Sequence, residues 1–183
     1  CYKYHHTFDK IIEQILTYDL NGIFIMIEDT KLLSHAEVVM RERIQKIKNS
    51  ERIIRVPKPS HDILMAFYNL SKVILDPPYF GSDKKSFEIF EVGAPVITYP
   101  YKYLGSRIIY GYYKYLDIDD CIVKDIEDFA THAVNIANGD NYATLKEKIL
   151  QRNKMLFENQ ESIRSWINIF TQMIQKNTHE RYS

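Results

Sequence analysis

The stretch Val56–Pro95 reads VPKPSHDILMAFYNLSKVILDPPYFGSDKKSFEIFEVGAP. The apolar run Arg52–Val56 ahead of it has strand character, and Pro57 ends that run because proline has no N–H for a ladder. Ser60 is placed to open a helix that carries Leu64, Phe67, Tyr68 and Leu70 at helical spacing. Lys72–Leu75 is the next short apolar strand, stopped by Asp76-Pro77-Pro78. Gly81-Ser82 makes a turn, and Lys84–Glu91 reads as a short helix closed by Val92-Gly93. Pro95–Tyr99 is a further strand. Strand, helix and strand in this rhythm predict a parallel, doubly wound sheet. In such a sheet the loops after the strands gather at one edge, where a nucleotide can bind.

The same alternation extends outward in both directions. Upstream, Thr7–Leu16 places Phe8, Ile11, Ile12, Ile15 and Leu16 on one helical face, with Thr7 as the expected N-cap and Asn21-Gly22 as the stop. Ile23–Ile27 (IFIMI) is a continuous apolar run, the pattern of a strand buried on both faces. Ser34–Ile47 reads as a helix. Downstream, helices are expected at Ser106–Tyr115, Asp125–Asn138, Tyr142–Leu156 and Gln160–Lys176, with Cys121-Ile122-Val123 as a short edge strand. The fold class expected is α/β, a Rossmann-like parallel sheet flanked by helices. Residues 1–183 form one domain in this reading, with a helical tail over about 140–183.

Composition narrows the function. The 183 residues suffice for one sizeable core. Lysine and arginine number 24, aspartate and glutamate also 24, so a non-specific nucleic-acid binder is not expected. An anion site must then come from a few placed cations and backbone amides. Cys1 and Cys121 lie far apart with no metal-type spacing, which suits a reduced, cytoplasmic setting. No apolar run reaches the length of a membrane span. Cys1 stands where a start methionine would, so a piece of a longer protein is expected.

Two stretches carry the candidate site. Lys58 lies between Pro57 and Pro59 just past a strand, where its ammonium can reach a ribose or phosphate oxygen. His61, at the start of the next helix, can lie flat against a base. Taken alone, both also read as ordinary surface residues. In the second stretch, Gly81 lets the backbone approach a ligand closely. The helix start after it offers free N–H groups to a phosphate, and Ser82, Lys84, Lys85 and Ser86 add hydroxyls and charge. Glu88, one turn in, can accept hydrogen bonds from two ribose hydroxyls; equally, Lys84 and Glu88 can form an i,i+4 pair on a solvated helix. Asp76 reads as a turn-forming carboxylate. Arg107 suits a phosphate or a structural ion pair. The tyrosines at 110, 112, 113 and 115 read as packing. No metal constellation is visible around Glu28-Asp29 or the histidines.

In order along the chain, Lys58-Pro59-Ser60-His61, Leu75-Asp76-x-x-Tyr79, Gly81, Gly93-Ala94-Pro95-Val96 and Ser106-Arg107 resemble the carboxyl-terminal half of the O-GlcNAc transferase and Spindly glycosyltransferases. The resemblance spans Tyr2 to about Leu150. It implies the second half of a GT-B fold, binding a UDP- or GDP-sugar as donor. It further implies inverting transfer without a bound metal ion or other cofactor, and an N-terminal GT-B half in the same or a partner chain. It assigns Lys58 and His61 to the nucleoside, Glu88 to the ribose (the family has Asp there) and Lys3 to the diphosphate as the catalytic lysine. The family's His-Thr-Thr after the glycine is absent; Ser82-Asp83-Lys84-Lys85-Ser86 stands there, one residue longer. That departure leaves open a non-catalytic scaffold built on the same fold.

Overall fold

The computed structural model describes residues 4–28, 35–81, 85–157 and 159–181. Helix α1 (His6–Tyr18) begins two residues earlier than an N-cap at Thr7 implies. Its N-cap is His5, whose ring nitrogen accepts from the Thr7 amide, so Thr7 sits inside the first turn. The helix buries Phe8, Ile11, Ile12 and Leu16. Its exit is an aspartate turn: Asp19 Oδ1 accepts the amides of Asn21 at 3.0 Å and Gly22 at 2.9 Å. Arg52 locks this turn, donating to the carbonyls of Leu16, Asp19 and Gly22. From there the chain enters β1 (Phe24–Glu28).

After α2 (His35–Gln45), held to α1 by a two-pronged Arg43–Asp9 pair, comes β2 (Ile53–Pro57). Strands β1 and β2 pair in parallel, Phe24 opposite Ile53 and Glu28 opposite Pro57. Helix α3 (His61–Leu70) leads to β3 (Ile74–Leu75), and α4 (Ser86–Glu91) to β4 (Val96–Ile97). Strands β3 and β4 are also parallel, and a parallel bridge from Thr98 to Ile122 adds a third position where the edge strand was expected.

One continuous sheet was the expectation. Among the described residues there are two separate parallel pairs, β1–β2 and β3–β4. A slot of about 1010 Å³ lies along the unpaired edges of β1 and β3. Its presence explains a second departure: in β1 only Met26 is buried, and Ile25 is 36% exposed, although the IFIMI run has the composition of a strand covered on both faces.

The densest packing is on the β3–β4 side. Helix α5 (Ile108–Tyr115) places Tyr113 at 0% exposure, its hydroxyl accepting the Val96 amide at 2.8 Å. Phe90, Ile97, Ile109, Leu116 and Phe129 close around it, the last from α6 (Phe129–Asn138). Of the four tyrosines expected to pack, two do: Tyr113 is buried and Tyr112 meets Phe87 and Phe90 ring to ring, whereas Tyr115 is 47% exposed and the Tyr110 ring lies under Arg107 and Lys114. Helix α7 (Tyr142–Arg152) buries Leu145 and Ile149. It does not run on to Leu156: Asn153 turns inward to donate to the Phe90 carbonyl at 3.0 Å, and a separate short helix α8 (Lys154–Phe157) follows. The last helix, α9 (Gln160–Arg181), leaves Trp166, Ile167 and Phe170 more than half exposed. No helix among the described residues is long and apolar enough to cross a membrane.

Candidate functional site

The carboxyl ends of β2 and β3 lead into the two stretches singled out by sequence. Pro57, the last residue of β2, and Pro59 flank an exposed Lys58, and α3 opens at His61. Past β3, the chain turns through Pro77-Pro78 to Gly81 and re-enters helix at Ser86, with Glu88 in the first turn of α4. The first turns of α3 and α4 meet. His61 Nδ1 stands 4.0 Å from Glu88 Oε1, so residues 27 positions apart share one surface.

Glu88 is the acidic residue of this surface that approaches His61. Its side chain is 31% exposed. Its Oε2 is out of contact with solvent, and among the described residues it has no hydrogen-bond partner. A buried carboxylate oxygen without a donor is costly. Tyr68, one helical face along α3, lies in its field. Burial first, then the Glu88 charge and Tyr4, push the Tyr68 phenol up to about 12. Tyr68 therefore stays a neutral hydroxyl beside the carboxylate.

The glycine loop is built from within. Asp76 is 2% exposed; its amide donates to Ile97 at 2.9 Å and its Oδ2 accepts from Thr98 Oγ1 at 2.8 Å. A side chain placed on Gly81 would meet Asp76 Oδ1 at 2.4 Å. The space that demands glycine here is filled by Asp76. The Gly81 amide donates to the Gly105 carbonyl at 3.0 Å, tying this loop to the one after β4. Asp76 thus serves the turn, as its sequence context suggested.

Several expected residues stand apart from this picture. Lys3, Ser82 and Lys84 lie outside the described residues. Lys85 is exposed at the start of α4. Ser86 was expected to offer its hydroxyl to phosphate, but it is 0% exposed, because the first turn of α4 packs that position against the core. Arg107 lies 5.0 Å from the centre of the Tyr110 ring, a cation–π contact that its sequence context did not suggest. Glu28 is held by Arg55 and Arg41, and no group of three or more potential metal ligands occurs among the described residues.

One feature of the site goes beyond the sequence reading, which named Tyr79 only within the Leu75-Asp76-x-x-Tyr79 motif. Tyr79 has φ 74, a left-handed conformation costly for a residue of its size. Its ring meets His5 at 4.8 Å and Tyr101 at 4.6 Å, and Tyr101 meets Tyr103 at 5.4 Å. Lys102 lies over the last two rings. The alternation Tyr99-x-Tyr101-x-Tyr103 was the available signal for this aromatic border to the glycine loop.

Fold and site together define a Rossmann-like α/β chain with a polar patch where its strands end. No family model matches the sequence, and no curated protein matches it. Among solved structures, the chain superposes on a point variant of the O-GlcNAc transferase of Thermobaculum terrenum with a TM-score of 0.70. The two are 19% identical; the match covers 81% of this chain and 30% of that one. The fold is therefore glycosyltransferase-like, and this chain spans under a third of that protein's length.

Proposed function

We propose that the chain is the donor-binding half of a GT-B glycosyltransferase, taking a UDP- or GDP-sugar. The meeting of His61 and Glu88 supports this reading: it joins an exposed imidazole ring to a carboxylate with an unsatisfied oxygen. In the proposal His61 and Lys58 hold the nucleoside, and Glu88 accepts from the two ribose hydroxyls. Lys3, Lys84, Lys85 and the amides that follow Gly81 face the diphosphate, with Ser82 as the hydroxyl donor. When the sugar C1–O bond breaks, charge builds on the β-phosphate, and these fixed positive groups stabilise it as it leaves. Transfer is inverting and uses no metal ion. The chain acts as one unit in a cytoplasmic enzyme, with 140–183 as its helical continuation. A second GT-B half supplies the acceptor site. Burial of Ser86 favours one alternative, a scaffold that has lost phosphate handling.

Calorimetric titration of the full-length protein with UDP, GDP and their sugars tests the proposal. Saturable binding that weakens in Glu88→Ala and His61→Ala supports it. Absence of binding to every nucleotide favours the scaffold.

A further inference from the structure

The loops that follow β3 and β4 are rich in rings, Tyr79-Phe80 in one and Tyr99-x-Tyr101-x-Tyr103 in the other. Tyr79 and Tyr101 meet at 89° with centroids 4.6 Å apart, and Tyr101 and Tyr103 at 64° and 5.4 Å. Rings set at such angles form corners, with the negative face of one beside the positive edge of the next. Phe80, Tyr103 and Leu104 are 50%, 56% and 78% exposed, so the cluster opens to solvent. The Phe80 ring lies beside Gly105, where an added Cβ would be 3.4 Å away, and the Gly81 amide donates to the Gly105 carbonyl, so the two loops form one surface. The left-handed φ of 74 at Tyr79 is a conformation that a ring-bearing residue keeps only where its surroundings impose it, and such residues cluster at ligand-binding loops.

We infer that this surface binds a neutral carbohydrate, with the C–H face of a pyranose ring stacked on the tyrosines. Three observations select that class. First, the backbone of the two loops bonds to itself. The Tyr101 amide donates to the Tyr99 carbonyl at 3.0 Å, the Ser106 amide and Oγ to the Tyr103 carbonyl at 3.1 and 2.8 Å, and Gly81 to Gly105 at 3.0 Å. An extended peptide, whose affinity comes from main-chain hydrogen bonds, finds few partners there. Second, Lys102 Nζ lies 5.6 Å from the centre of the Tyr101 ring and 5.3 Å from that of Tyr103, so these rings already have a cation. Stretches 77–81 and 99–107 contain no aspartate or glutamate, so a basic side chain would meet Lys102 with no carboxylate from either loop to offset it. Third, what faces solvent is ring surface fringed by phenol hydroxyls. A pyranose with equatorial hydroxyls, as in β-glucans, matches it. Its axial C–H groups, slightly positive, suit a negative ring face. Its rim hydroxyls can bond to the phenols and to Lys102. That the bound sugar serves as the acceptor rests on the proposed donor site, which the same Gly81 loop borders.

Saturation-transfer NMR on the full-length protein, run without nucleotide, tests the surface. Cellohexaose and chitohexaose serve as neutral probes, with a lysine-rich and an acidic peptide beside them. The ring protons of one or both sugars should receive saturation. Titration should show binding about 10-fold weaker in Tyr103→Ala, the loss of one stacking ring. Tyr103→Phe, which keeps the ring, should stay within about threefold of the parent. Tyr103 is 56% exposed, so the urea midpoint of both variants should match the parent. Absence of saturation in both sugars overturns the inference, and so does equal sugar binding by the parent and Tyr103→Ala. Binding of a peptide alone, lost in Tyr103→Ala, assigns the surface to polypeptide and overturns it too. Sugar binding that falls in Tyr103→Ala, in a protein with no affinity for UDP- or GDP-sugars, supports the surface and counts against the donor reading only.

Discussion

Replacing Gly81 by alanine should cost more than a loop glycine ordinarily does, and for a steric reason. Gly81 is outside the left-handed region, so alanine meets no backbone penalty there. Its methyl carbon would instead lie 2.4 Å from Asp76 Oδ1 and 2.8 Å from Cγ. Asp76 is 2% exposed and held by Thr98 at 2.8 Å, so it has no open direction in which to swing. If the carboxylate moves, a buried hydrogen bond to a charged group is lost, about 1.5–3 kcal/mol. If the loop moves, the bond from the Gly81 amide to Gly105 is lost, about 1 kcal/mol, with overpacking strain of about 1–3 kcal/mol. Either route gives about 2–4 kcal/mol, a large share of a typical stability of about 5–15 kcal/mol. Urea denaturation should show a lower midpoint with an unchanged slope. In an Asp76→Ala background the same substitution should cost under about 1 kcal/mol, since the obstructing group is gone. A Gly81→Ala protein within about 0.5 kcal/mol of the parent refutes the steric argument. An equal cost in both backgrounds refutes it too.

Arg52→Ala leaves the carbonyls of Leu16, Asp19 and Gly22 without this donor, and urea denaturation should report a loss of about 1–3 kcal/mol. Alkaline pH should unfold the chain through Cys121 and Tyr113. Burial raises the Cys121 thiol from 9.0 to about 12, so its contribution is complete below pH 9.0 and fades as pH climbs toward 12. That loss approaches about 1.4 kcal/mol per pH unit, and Cys121→Ala should flatten the fall between pH 9.0 and 10 in denaturation midpoints. Tyr113, raised for the same reason, adds its own loss above pH 10.0. Glu88→Ala should lower the phenol pKa of Tyr68 in an ultraviolet titration yet leave it above 10.0, because burial is the larger cause.

Much of the fold was legible because apolar period reports which faces need cover. Phe8, Ile11, Ile12 and Leu16 announced α1, and the β2–α3–β3 rhythm placed His61 and Glu88 at one edge. Period does not report whether cover is present, which is why IFIMI read as a fully buried strand while β1 borders an open slot. Boundaries set by single side-chain bonds were equally hidden. His5 caps α1 in place of Thr7, and Asn153 breaks the last core helix by bonding to a carbonyl 63 positions away. Ser86 looked available because a helix start is usually open; packing of α4 closed it. The left-handed Tyr79, whose ring lies against His5 and Tyr101, had no local conformational cue in the sequence.

The pairing of His61 with Glu88 as a nucleoside-diphosphate site is best tested by calorimetry of UDP- and GDP-sugars against the full-length protein and its Glu88→Ala variant, side by side. One of the donors should bind saturably to the parent and about 10–100-fold more weakly to the variant, the loss of hydrogen bonds to a charged acceptor. Equal affinity for parent and variant, with both proteins folded, would contradict the role given to this carboxylate.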